Sequence, residues 1–194
     1  MAELLGILSD GVRSSQSFTH EVNAMVAIVK TRDLDAQAAG LLHDSAKCIP
    51  NKKKLKLCSQ HDIPVSDFEK DHPFLLHAKL GAYVASSKYD IKDEEILTAI
   101  TYHTTGRPGM SLLEKIVYIS DYIEPMRDKA PNLAKVRKIA FEDLDECMYE
   151  ILKDTLEYLE ENPKEIDSTT RDAYVYYKEL HDRKMQDAAN RQED

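Results

Sequence analysis

Apolar residues recur at spacings of three and four along almost the whole chain, and this helical period constrains the fold more than any other feature. The pattern predicts helices around 22–29 and over 34–46, 75–88, 93–102, 132–161 and 169–188. Only 6 glycines and 7 prolines occur in 194 residues, too few for the many turns of an all-β protein. We therefore expect an all-α fold of about eight helices.

The segment 111–124 is predicted to be the central helix. Ser111 can cap its start, and Glu114 three residues later completes a capping box. The residues that follow are apolar on nearly every side, which is typical of a helix surrounded by others. Asp121 lies in this segment, and a buried carboxylate is costly unless a metal ion or a basic side chain compensates for its charge.

Composition and charge narrow the class of protein. The formal net charge of -9 argues against nonspecific binding to nucleic acid or to an anionic membrane, since both need a basic surface. The 3 cysteines form no CxxC pair, so neither a disulfide framework nor a thiolate zinc site is expected. The N-terminus has no leader pattern and no apolar run approaches membrane-spanning length. These features predict one cytoplasmic domain over 1–194.

Four of the 7 histidines lie on or beside apolar helical segments, and two aspartates accompany them. In chain order, this series is His20, His43, Asp44, His77, His103 and Asp121. Taken singly, each is more typical of a structural role, such as a hydrogen-bonded core histidine. Together they offer imidazole and carboxylate groups, the ligands that divalent iron, manganese, nickel or zinc accepts without thiolate. The ordered series therefore indicates a metal site, whereas His61, His72 and His181 are interpreted as non-ligands.

Two basic residues accompany the series. Lys47 lies one turn beyond His43, where it would meet a phosphate, orient Asp44 or simply extend into solvent. Arg107 lies in a glycine-flanked loop four residues after His103, and its guanidinium is suited to bidentate phosphate binding. The lysines at 52–54 are expected to be a solvated helix start.

The order H…HD…H…H…D resembles the HD-domain metal-dependent phosphohydrolases. Three stretches are more specific: LLHDSAK at 41–47, LLHAKLGAYVA at 75–85 and TAITYHTTGRPGMSLLEKIVYISDYIEPMRD at 98–128. They resemble the YqeK family, bacterial symmetrical bis(5'-nucleosyl)-tetraphosphatases that split diadenosine tetraphosphate into two ADP. The resemblance covers about residues 17–180 and implies an all-α HD fold with a dinuclear metal site between central helices.

The resemblance also implies roles for individual residues. Two divalent metal ions, chiefly Fe²⁺, would share Asp44 as a bridge. The first would be held by His20, His43, Asp44 and Asp121, and the second by Asp44, His77 and His103. Asp44, Lys47 and Arg107 would be the catalytic residues. The implied substrate contacts are His20, Thr105, Gly106, Arg107, Arg127, Thr170 and Tyr174.

Several function classes stay open at this stage. The first is hydrolysis of a dinucleoside polyphosphate at the β-phosphorus, or of another nucleotide by the same chemistry. The second uses the same ligands in a mixed-valent di-iron oxygenase, and the third is a nucleotide sensor without catalysis. The expected partner is a small nucleotide rather than nucleic acid or membrane. A homodimer is left open, and no residue is assigned as the general acid.

Overall fold

The described part of the chain is entirely helical. The computed structural model describes residues 33–128, 130, 132–159 and 166–191. Within these residues it has nine α-helices, one 3₁₀ turn and no strand, which confirms the all-α prediction. None of the described helices is both long enough and apolar enough to cross a membrane. The helix predicted around 22–29 lies outside the described residues.

The described residues fall into two compact units. The first contains residues 33–104 and 111–125, and the second contains 105–110 together with the described residues from 126 onward. Helices of the first unit are α1 Asp33–Leu42, α2 Asn51–Gln60, α3 Asp67–Asp71, α4 Leu76–Tyr89, α5 Glu94–Tyr102 and α6 Leu112–Ile123, with the 3₁₀ turn Pro73–Leu75 before α4. Those of the second unit are α7 Leu133–Ile139, α8 Leu144–Leu159 and α9 Ser168–Asn190. That the chain forms one domain stays a prediction.

Helix α6 is the buried centre of the first unit. The Ser111 hydroxyl accepts a hydrogen bond from the Glu114 backbone N–H at 3.3 Å, and the Glu114 carboxylate accepts from the Ser111 N–H at 2.7 Å. This reciprocal pair confirms the predicted capping box and starts the helix at Leu112. Ile116, Val117 and Ile119 are fully buried, and the helix packs on α1 and α5.

Helix α1 ends four residues earlier than the sequence pattern predicts. The predicted helix runs over 34–46, but α1 stops at Leu42 and the chain continues through successive turns to Cys48. The Gly40 carbonyl accepts a hydrogen bond from the His43 ring rather than continuing the helical ladder to Asp44. The backbone after it closes in i→i−3 bonds, such as Lys47 N–H to Asp44 O at 2.9 Å.

The predicted helix over 132–161 is two helices, α7 and α8. The Asp143 carboxylate accepts a hydrogen bond from the Glu146 N–H at 2.9 Å and so satisfies one of the backbone donors at the start of α8. The chain therefore leaves α7 at Ile139 and begins a new helix at Leu144.

Tyr177 of α9 is fully buried, and its hydroxyl accepts a hydrogen bond from the Met110 N–H at 3.2 Å.

Gly81 allows α4 to pack closely against the end of α1. A methyl group on its Cα would lie 2.9 Å from the His43 carbonyl oxygen and 3.2 Å from a side-chain carbon of Ile100. Both neighbours are fixed by backbone or by core packing, so only glycine fits without displacement. This contact sets the position of the segment that carries His43 and Asp44.

Candidate metal centre

Three buried histidines are held in the same way by three different elements. His43 follows the end of α1, His77 lies in the first turn of α4, and His103 caps the end of α5. Each ring places Nδ1 at 2.7 Å from the carbonyl oxygen three residues earlier; these carbonyls belong to Gly40, Phe74 and Ile100. A carbonyl oxygen only accepts hydrogen bonds, so Nδ1 carries the proton of the neutral ring. Nε2 then keeps a lone pair that can bind a metal ion.

Asp44 lies among the three rings, and its two carboxylate oxygens face different ones. Oδ2 is 3.5 Å from Nε2 of His43. Oδ1 is 3.4 Å from Nε2 of His77 and 3.6 Å from Nε2 of His103. The side chain is buried, and its two oxygens face two separate groups of candidate ligands. The first group contains His43, and the second contains His77 and His103.

Asp121 completes the first of these groups from helix α6. Its Oδ1 lies 3.7 Å from Nε2 of His43, on the buried helix that the sequence predicts to be central. The second group is tighter, since the Nε2 atoms of His77 and His103 are 3.1 Å apart. Five of the six predicted ligands are therefore brought together, and the sixth, His20, lies outside the described residues.

The cluster fits divalent cations rather than a closed network of hydrogen bonds. Ligand atoms at about 2.1 Å from one cation are about 3.0 to 3.4 Å apart in octahedral or tetrahedral geometry, close to the separations observed here. The buried Oδ1 of Asp44 accepts no hydrogen bond from the described residues. Oxygen and imidazole nitrogen donors suit divalent iron, manganese, nickel or zinc. The cluster thus indicates a divalent-metal site.

The electrostatics of the cluster keep both carboxylates ionised. Burial raises the pKa of Asp44, but its contacts with His103, His43 and His77 outweigh this effect and hold the pKa well below its usual range. Burial likewise raises the pKa of Asp121, and its contact with His43 reverses this and lowers the pKa to about 2. Two negative charges in one cluster, one buried on Asp44 and one partly exposed on Asp121, favour a positive charge beside them, which a bound cation would supply.

Burial acts on the histidines in the opposite sense. It lowers the pKa of His103 to about 4, so this ring is neutral at pH 7 and its lone pair is available. Burial also lowers the pKa of His43, but its contacts with the Asp121 and Asp44 carboxylates outweigh this effect and raise the pKa to about 9. A cation at His43 therefore competes with a proton for the same nitrogen.

Lys47 contacts the shared carboxylate directly. Its Nζ donates to Oδ2 of Asp44 at 2.6 Å, while the rest of the lysine side chain is half exposed. Of the roles open at the sequence level, this contact favours orientation of Asp44. A catalytic role of Lys47 stays a prediction.

The remaining predicted substrate contacts lie in the second compact unit. Gly106 adopts a positive φ of 66°, and its carbonyl accepts from the Thr105 hydroxyl at 3.0 Å. The Arg107 guanidinium reaches the Pro108 carbonyl at 3.5 Å. The others are on or near helices of this unit: Arg127 precedes α7, Thr170 is buried in the first turn of α9, and Tyr174 stacks on Tyr149 of α8. Their contact with a substrate stays a prediction.

The histidines interpreted as non-ligands have other contacts. His61 stacks on Tyr83, and His72 stacks on Phe68 between α3 and the 3₁₀ turn, as expected of a turn residue before proline. Nδ1 of His181 on α9 lies 3.0 Å from the Glu146 carboxylate. Each of the three rings therefore has a structural partner within its own unit.

Two residues near the cluster were missed at the sequence level. The Thr104 hydroxyl lies 3.1 Å from Nε2 of His103 and 3.3 Å from Nε2 of His77. Its position directly after His103 was the available signal, whereas the family resemblance implies Thr105, the next residue, as a substrate contact. Lys54, expected to be solvated, is only 4% exposed, and burial lowers its pKa. Its spacing of four from the buried Cys58 could have indicated this.

Comparisons with known proteins agree with the site. Residues 1–126 match the HD domain family. A symmetrical bis(5'-nucleosyl)-tetraphosphatase from Bacillus subtilis strain 168 is 40% identical over 124 residues, which cover 64% of this chain and 66% of that protein. The enzyme of the same name from Staphylococcus aureus strain NCTC 8325 is 36% identical over 143 residues, 73% of either chain. The match to the Bacillus protein thus spans just under two thirds of its length.

A solved structure extends the similarity to nearly the whole chain. The crystal structure of a predicted HD superfamily hydrolase involved in NAD metabolism from Clostridium acetobutylicum is 31% identical. It superposes with a TM-score of 0.83 over 92% of this chain and 97% of that one. On the family match, the relatives and the His and Asp cluster together, this chain belongs to the HD-domain family.

Proposed function

We propose that this protein is a metal-dependent hydrolase that cleaves diadenosine tetraphosphate symmetrically into two ADP. The relatives named as symmetrical tetraphosphatases support this substrate, and their similarity does not favour an oxygenase. Water adds its hydroxyl to one β-phosphorus, and the bond from that phosphorus to the oxygen bridging the two central phosphorus atoms breaks, so the bridging oxygen leaves on the other ADP. The proton from water ends on the leaving ADP or in solvent. Because the molecule is cleaved at its centre, the products are two identical nucleotides.

The observation that carries this proposal is the division of Asp44 between two groups of ligands. One oxygen faces His43, which also neighbours Asp121, and the other faces His77 and His103. A carboxylate arranged in this way is suited to bridging two cations. We propose two divalent ions, in the ferrous state, with His20, His43, Asp44 and Asp121 on the first. His77, His103 and Asp44 would hold the second.

The charge of such a centre suits a polyphosphate. Two divalent cations bring about four positive charges, and the two aspartates return two, so the site is positive within a chain of net charge -9. Cations bound there polarise a phosphoryl oxygen and lower the pKa of water toward neutrality. The chain's own part is to fix the ligands: backbone carbonyls orient the three rings, and Lys47 holds one oxygen of Asp44.

The proposed substrate contacts beyond the centre are the residues that the family resemblance implies. We propose that Arg107 binds a phosphate through its guanidinium and that Thr105 and Gly106 contact the same chain of phosphates. Arg127, Thr170 and Tyr174 complete the proposed nucleotide contacts, and His20 would contact both metal and substrate. These roles follow from the family resemblance.

Product analysis tests the proposal. Anaerobically purified, iron-loaded protein is given diadenosine tetraphosphate, and the nucleotides are separated by ion-exchange chromatography. We expect ADP as the sole nucleotide product. ATP together with AMP would show asymmetric cleavage and contradict the proposal, as would the absence of turnover with metal bound.

A matched pair of variants links turnover to the cluster. Asp44→Ala should abolish both metal binding and turnover, whereas Asp67→Ala on α3 should behave as wild type. Asp67 is exposed and its carboxylate contacts Lys70, outside the cluster. A fully active Asp44→Ala variant would contradict the assignment of the metal ligands.

A further inference from the structure

The Thr104 hydroxyl lies at the junction of the two histidines of the second ligand group. Its oxygen is 3.1 Å from Nε2 of His103 and 3.3 Å from Nε2 of His77, while those two nitrogens are 3.1 Å apart. The three atoms therefore form a nearly equilateral triangle. Thr104 itself is only partly buried, whereas His77 and His103 are buried.

The hydrogen-bonding capacity of this triangle is unbalanced. The Nδ1 atoms of His77 and His103 both donate to backbone carbonyls, at 2.7 Å each, so both Nε2 atoms of the neutral rings are acceptors. Two acceptors face each other, and the threonine hydroxyl has a single proton to donate. It can satisfy one ring at a time, and it loses both acceptors when the two nitrogens bind a cation.

We propose that Thr104 is a substrate-positioning residue whose hydroxyl, set between Nε2 of His77 and Nε2 of His103, donates a hydrogen bond to a phosphoryl oxygen of the bound nucleotide. This inference rests on the proposed function, because it requires a phosphate at the metal centre. With the two nitrogens committed to a cation, the hydroxyl proton is released for an acceptor on the solvent side. An anionic phosphoryl oxygen is the strongest acceptor that the proposed substrate offers.

The hydroxyl is better suited to donating to substrate than to ligating the metal. A neutral threonine hydroxyl is a weaker ligand for a divalent transition metal than the imidazole and carboxylate groups already present. Its hydrogen bond to a charged oxygen, in contrast, is of the stronger class, and its loss is expected to weaken binding about 10- to 100-fold. The two roles predict different behaviour of the metal content.

The test uses the full chain with Thr104→Val, Thr104→Ser and wild type. Valine keeps the shape and removes the hydroxyl, whereas serine keeps the hydroxyl. Thr101→Val is the matched control, since the Thr101 hydroxyl, in the last turn of α5 and three residues before Thr104, donates to the Leu97 carbonyl at 2.8 Å. For each protein, bound metal is counted by mass spectrometry, ADP binding to the Mn²⁺-loaded form is measured by calorimetry, and KM and kcat are determined.

We expect Thr104→Val to keep the wild-type metal content while its ADP dissociation constant and its KM rise about 10- to 100-fold. Thr104→Ser should stay within about threefold of wild type, and Thr101→Val should show wild-type ADP binding. Wild-type ADP affinity in Thr104→Val would overturn the inference. Loss of metal in that variant would overturn it as well, by making Thr104 a metal ligand.

The metal count and the ADP titration separate this inference from the proposed function. If wild type binds ADP through Thr104 but does not cleave diadenosine tetraphosphate, the proposed substrate is wrong and the hydroxyl contact stands. If wild type cleaves that substrate and Thr104→Val does so with unchanged kinetics, the proposed function stands and the inference fails. Equal defects in the valine and serine variants would assign the hydroxyl no role in binding and would also overturn it.

Discussion

Replacing Gly81 by alanine should disturb the metal centre more than it disturbs the fold. The added methyl group would lie 2.9 Å from the His43 carbonyl oxygen, against an ordinary carbon to oxygen contact of 3.4 Å or more. One of the two must therefore shift by roughly half an ångström. His43 and Oδ2 of Asp44, which lie 3.5 Å apart, are both proposed to bind the first cation. The displacement of His43 therefore moves a proposed metal ligand directly.

Two effects on stability oppose each other at this position. Alanine favours the helix over glycine by about 1 kcal/mol, and overpacking a close contact costs about 1 to 3 kcal/mol. We therefore expect the metal-free variant to lose at most about 2 kcal/mol of unfolding free energy. Ligand geometry tolerates shifts of only about 0.5 Å, so metal affinity should fall by about tenfold or more.

The assay combines urea unfolding of the metal-free protein with a metal titration against a competing chromophoric chelator. Ser87→Ala on the exposed side of the same helix is the control, because it changes helix propensity without adding a contact at His43. Wild-type metal affinity in Gly81→Ala would refute the reasoning that this glycine sets the position of His43. Failure of the variant to fold would refute the estimate of its stability.

Three further changes probe separate parts of the account. Asp44→Asn keeps the shape of the side chain but removes its charge, and metal analysis and kinetics should show loss of bound cations with turnover reduced about 100-fold or more. Tyr177→Phe removes the acceptor of the buried Met110 N–H and should cost about 1 to 3 kcal/mol in urea unfolding. Asp143→Ala removes the cap at Glu146 and should cost about 1 kcal/mol at pH 7. Burial raises the pKa of Asp143, but hydrogen bonds, including that cap, lower it overall. The difference in unfolding free energy between wild type and Asp143→Ala should therefore disappear as the pH falls from about 4 through the lowered pKa of Asp143. An unchanged unfolding free energy in either of the last two variants would contradict the role given to that hydrogen bond.

The helical period was sufficient to predict most of the described helices of the first unit. The capping box at Ser111 fixed the start of α6, because it depends on two residues at a set spacing and on nothing distant. The ends of α1 and α7 could not be predicted in this way. The hydrophobic period continues through both, and the break at each depends on a side chain, His43 or Asp143, that takes a local backbone partner.

The candidate site was predictable in its members and not in its arrangement. The ordered series predicted His43, Asp44, His77, His103 and Asp121, the side chains that the structure brings together, and their role as ligands stays a prediction. The division of the Asp44 oxygens depends on the packing of α1, α4 and α5, which no spacing encodes. The packing of α4 against α5 also sets the Thr104 hydroxyl 3.3 Å from the His77 ring, a contact between residues 27 positions apart.

The central claim is that one carboxylate, Asp44, serves two cations. An anaerobic titration of the metal-free wild-type chain with Fe²⁺, followed by equilibrium dialysis and metal analysis, tests it most directly. The account predicts two equivalents of iron per chain in wild type, one in His103→Ala, and none in Asp44→Ala. A single equivalent in wild type, or two equivalents retained by Asp44→Ala, would contradict it.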